Sequence, residues 1–123
     1  MEPLPINFFS LSRNTKSRIL RMNYYNSTLA SAFLHQQIVN LDNAIAQSGA
    51  REIGHLSALA ELPPDRENYT EQQYVANENM SLEALGRERG MQVALGAARD
   101  QAANQLVLHR GYQQNLENIN TMI

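Results

Sequence analysis

The side chains able to do chemistry are few, and their spacing limits what they could do. Glu52-Ile53-Gly54-His55 sets a carboxylate and an imidazole three residues apart. On a helix that places both on one face, as a ferritin-like di-iron site requires. Such a site also needs glutamates from partner helices and a second Glu-x-x-His. No second copy of the motif is present, and the upstream segment offers only Asp42. His35 and His109 stand far from His55, and no histidine pair has the four-residue step of a helical zinc site. The reading is a solvated Glu52 beside a surface or interface His55, with no metal and no cofactor.

Glu78, Glu83 and Glu88 step by five, so they share no helix face and read as solvated surface. No glycine-rich phosphate loop, nucleophile elbow or Ser–His–Asp order occurs, and no serine or tyrosine has a recognisable base beside it in sequence. The chain contains no cysteine, which removes disulfides and thiolate chemistry. No catalytic residue is therefore assigned, and the expectation is a protein that is not an enzyme.

One cluster suits an anionic partner. Arg13, Lys16, Arg18 and Arg21 crowd the start of a helical segment, followed by Tyr24-Tyr25. Cations at a helix N-terminus oppose the helix dipole, which tips the reading from plain solvation, still an alternative, toward an anionic partner. It would be the acidic half of another copy, another protein, or, as a lesser reading, nucleic acid held by phosphate contacts and tyrosine stacking. Residues 1–41 hold four basic side chains against Glu2 alone, a balance of +3, and residues 42–123 hold six against eleven, a balance of −5. Three glycosylation sequons, at Asn26, Asn68 and Asn79, are expected by chance in a chain with 13 asparagines.

These groups ride on a chain that reads as all-α. Residues 1–11 form an extended N-terminal arm, since Pro3 and Pro5 hold their neighbours out of the helical region. Phe8 and Phe9 give that arm an aromatic end that could dock on a partner or fold onto its own core. From about residue 12 to 48 one long helix is predicted, capped by Ser10 or Ser12 and stopped at Gly49. Ala30, Leu34, Ile38, Leu41 and Ile45 make its apolar stripe, which Ile19, Met22, Leu29 and Phe33 extend less regularly. A short second helix is expected over 51–62, with Ile53, Leu56 and Leu59 on one face, and a loop over 63–69 at Pro63-Pro64. A second helical region follows over 70–118, opened by a Thr70/Gln73 capping box and weakest near 77–81. The predicted architecture is an elongated helical hairpin or bundle of two long helices plus the short one.

Gly86, Gly90, Ala94, Ala98 and Ala102 recur every four residues. Small side chains at that step make a shallow groove into which another helix can settle closely. The partner would be the first long helix or another subunit. Amides replace much of the missing charge: 13 Asn and 10 Gln accompany a charged fraction of 18%. Amides are cheaper to desolvate than ions, which again favours burial by neighbours. No run of apolar residues is long enough for a membrane-spanning helix, and the N-terminus lacks a signal-peptide pattern, so synthesis in the cytoplasm is expected.

The expected function is a structural or assembly subunit working by helix–helix packing. Its setting would be a phage virion, tail or ejection device, or a secretion apparatus. Its partners would be copies of itself or other subunits. A helical adaptor or chaperone for a client helix, and a nucleic-acid accessory protein, are the rival expectations.

Overall fold

A computed structural model describes residues 1–60 and 70–123. Predicted features at residues 61–69, namely the end of the short helix, the 63–69 loop and the Asn68 sequon, lie outside the described residues. Two long helices account for nearly all of the rest: α1, Arg13–Ala60, and α2, Glu71–Thr121. A 3-10 turn, Phe8–Ser10, precedes them.

Capping chemistry sets the helix starts. The Ser12 hydroxyl accepts the Thr15 N–H at 3.3 Å, and the Lys16 N–H reaches the Ser12 carbonyl at 2.9 Å, so Ser12 is the N-cap. Before α2, Gln73 N–H donates to Thr70 Oγ1 and Thr70 N–H donates to Gln73 Oε1, both at 3.1 Å. That is the reciprocal capping box the sequence predicts.

The predicted stop at Gly49 is not there. α1 runs through Gly49 and Gly54, and the segment expected as a separate helix over 51–62 is its continuation as far as Ala60. A glycine that ends a helix adopts positive φ, and none of the glycines does. Ser48 and Glu52, on either side of Gly49, both bond across to α2, which holds the helical register past the weak residue. The weak stretch near 77–81 is likewise helical throughout.

The chain divides into two compact units, unit 1 (Met1–Val39 with Asp100–Ile123) and unit 2 (Asn40–Arg99). In each the two helices run antiparallel. Within unit 1, Tyr24 meets Glu117 and Ser27, further along α1, meets His109, further back on α2. Within unit 2 the same reversal takes Asp42 to Arg99, Ser48 to Glu88 and Glu52 to Arg89. Phe8, Leu20 and Leu116 form the buried core of unit 1, surrounded by Leu4, Leu11, Ile19, Tyr112, Ile119 and Ile123.

That core changes the reading of the N-terminal arm. Phe8 is only 2% exposed, so it is spent on its own unit and is not free to dock elsewhere. Phe9 stays exposed and meets the Phe8 ring edge-on, with centroids 5.2 Å apart. Tyr112 Oη donates to the Glu2 carbonyl at 2.7 Å and ties the segment down. Burial of Phe8, with Leu4 and Leu11 packed beside it, offsets part of the entropy of ordering the arm.

Candidate functional site

Where each predicted residue falls depends on which way its helix face turns. The inward face of α1 follows the predicted stripe, with Ala30, Leu34, Ile38, Leu41 and Ile45 all partly buried. Met22, Leu29 and Phe33 do not extend it. With Tyr25 they form a second stripe at steps of three and four, turned to solvent and exposed by 58% (Met22), 63% (Tyr25), 53% (Leu29) and 65% (Phe33). On a 100° helical step this row lies nearly opposite the inward residues Leu20, Ser27 and Leu34. In unit 1, then, α1 carries apolar side chains on two opposite sides and packs only one of them.

The small-residue row of α2 is not the seat of α1. Gly86, Gly90, Ala94 and Ala98 are exposed, and a Cβ built on either glycine meets no atom within 4 Å. Only Ala102 is buried. The 40° drift of a four-residue row carries just its last member onto the packed face. Val75, Leu82 and Val93 stand exposed on the same outward side of α2 in unit 2.

The packed face of α2 instead steps through Leu85, Glu88, Gln92, Leu95, Arg99, Ala102 and Leu106, apolar and polar by turns. Glu88, expected on the surface, is 6% exposed. It accepts Ser48 Oγ at 2.8 Å and pairs with the Arg51 guanidinium. The Arg51 bond, then the Ser48 bond, hold its carboxyl below the ordinary carboxylate range against desolvation, with His55 drawing it the same way. Glu52 accepts Gln92 Nε2 at 2.7 Å and Arg89 Nε at 3.2 Å, and both lower its pKa, Gln92 more. The Glu-x-x-His turn therefore spends its carboxylate on an amide and a guanidinium. Among the described residues no three His, Asp or Glu side chains gather into a metal-ligating group.

Unit 1 holds one pairing invisible in sequence. Ser27 Oγ lies 2.9 Å from His109 Nδ1 and accepts Gln113 Nε2 at 3.2 Å, joining residues 82 positions apart. A cavity of about 120 Å³ adjoins it, lined by Met1, Glu2, Asn23, Asn26, Ala30 and Tyr112. Ser27 is buried and no carboxylate bonds to His109 among the described residues, so the triad logic of an activated serine is incomplete. The bonds satisfy polar groups on a packed face. Tyr112, nearby, is pushed above its ordinary value by burial and by the Glu2 charge, partly offset by a hydrogen bond with Asn23.

The basic stretch stays open. Arg13, Arg18 and Arg21 are exposed and Lys16 is half-buried. None forms an ion pair among the described residues, whereas Arg51, Arg89 and Arg99 of unit 2 all do. Arg21, Tyr24 and Tyr25 line a groove of about 490 Å³ with Leu116 and Glu117; Tyr24 Oη donates to Glu117 at 3.2 Å. Among the described residues no helix is long and apolar enough to cross a membrane. Comparison with models of known families, with curated proteins and with solved structures finds no match to this chain.

Proposed function

We propose that this protein is a structural subunit of a larger protein assembly, held to its neighbours by helix–helix packing. The supporting observation is the outward stripe Met22, Tyr25, Leu29 and Phe33. Four large apolar side chains in one line on a helix form the kind of contiguous patch that marks an interaction surface. A virion, tail or ejection device, or a secretion apparatus, is the kind of particle in which such a subunit would serve.

The test is the mass in solution of the wild-type chain and of Leu29→Glu with Phe33→Glu. Wild type is expected well above 13.9 kDa, and the double variant at the monomer mass with helicity unchanged. A wild-type chain that stays monomeric at high concentration would remove the reading. A discrete monomer or dimer that binds a client peptide would favour an adaptor instead.

A further inference from the structure

We propose, on the footing of the assembly reading above, that the neighbour is a second copy of this chain. The outward stripe of α1 in unit 1 of one copy docks on the outward face of α2 in unit 2 of the next. Two kinds of complementarity carry this.

The first is charge. Unit 1 holds five basic side chains, Arg13, Lys16, Arg18, Arg21 and Arg110, against three acidic ones, a balance of +2. None of the five forms an ion pair among the described residues. Among its described residues unit 2 holds four basic against six acidic, a balance of −2. Three of its arginines are already paired internally, while Glu78 and Glu83 are exposed and make no ion pair among the described residues. Arg87 and Arg89 are exposed cations on the same stretch of α2, and Arg89 is already paired with Glu52. Two unit 1 stripes facing each other in parallel would bring Arg18 and Arg21 against their own copies, with no acid between Glu2 and Asp42 to relieve them.

The second is shape and register. Met22 to Phe33 and Leu82 to Val93 span the same number of residues, about 16 Å of helix each. Between Leu82 and Val93, Gly86 and Gly90 leave open space where a Cβ would stand, so protruding Tyr25 and Leu29 side chains can approach the backbone. Laid parallel with Tyr25 beside Gly86 and Leu29 beside Gly90, Phe33 falls beside Ala94, and Arg18 and Arg21 fall near Glu78 and Glu83. Because donor and acceptor faces differ, the pair keeps one of each free after the first contact. Growth continues until a ring closes or a filament forms.

The experiment mixes two full-length variants and follows mass by light scattering. Leu29→Glu with Phe33→Glu blocks the donor face, and Leu82→Glu with Val93→Glu blocks the acceptor face. Wild type should exceed two copies, each variant alone should be monomeric, and the equimolar mixture should stop at one-to-one pairs. Arg18→Glu with Arg21→Glu should raise the half-assembly concentration on the order of tenfold. If the acceptor-blocked variant assembles as wild type does, the α1 stripe pairs with itself and the proposal is overturned. A mixture that stays monomeric overturns it as well. A monomeric wild type would instead remove the assembly reading beneath it. If the charge reversal abolishes retention of an oligo-dT strand and leaves assembly unchanged, the cations serve nucleic acid and the charge argument falls. Should a variant lose helicity, the native chain's lack of cysteine allows a second measurement. Asn26→Cys and Arg87→Cys chains should cross-link to each other faster than either does to itself, and equal rates would overturn the proposal.

Discussion

At the scale of single residues, Glu88 shows how a charge comes to sit on a packed face. Its two oxygens are engaged by Ser48 and Arg51, and Ser48 is itself fully enclosed. A buried carboxylate with both partners present is tolerated; with one removed it is an uncompensated acceptor. Ser48→Ala should therefore lower stability by about 1 kcal/mol in a denaturant melt. Because the folded-state pKa values of Glu88 and Glu52 are depressed, their contribution is complete above the ordinary carboxylate range. It is lost as pH falls through and below that range. Glu88→Gln should flatten the acid limb of the stability–pH curve, and an unchanged acid limb would contradict this account. The signal was available in sequence: the three-and-four steps from Leu85 through Gln92, Leu95 and Ala102 pass through Glu88. The five-residue steps from Glu78 and Glu83 hid it. Ser27 and His109 had no such signal, because only the folded pairing brings them together.

At the scale of elements, the helices are continuous despite residues that weaken them. Each interior glycine costs roughly 1 kcal/mol relative to alanine. A Cβ at Gly54 or Gly111 meets nothing within 4 Å, and neither has positive φ. Gly54→Ala and Gly111→Ala should each raise stability by about 0.5–1 kcal/mol in thermal or denaturant unfolding. A loss would mean that one of these positions is covered by a neighbour after all. The two-sided apolar character of α1 belongs to this scale too. Regular spacing located the Ala30–Ile45 stripe correctly. Met22, Leu29 and Phe33 fit a helical period equally well, but period alone does not say toward which side a row points.

At the scale of the whole molecule, the N-terminal segment is structural. Phe8 fills the centre of the unit 1 core against Leu20 and Leu116. Phe8→Ala should cost about 3–5 kcal/mol, read as a lower melting temperature by circular dichroism. Phe9→Ala, at an exposed ring, should change stability by less than about 0.5 kcal/mol. If the two substitutions proved equally mild, the segment would not be part of the core.

Local physical chemistry in the sequence was enough to determine an all-helical chain with two long segments, a serine cap at residue 10 or 12, the Thr70/Gln73 box and the α1 stripe. Propensity, capping and periodicity act over a few residues and need no partner to be read. Only tertiary structure decided that α1 continues past Gly49, that Glu88 turns inward, that Phe8 is buried, and that the Gly86–Ala98 row faces solvent. Each of those outcomes turns on a bond or contact between residues far apart in the chain, where packing energy overrides the local preference.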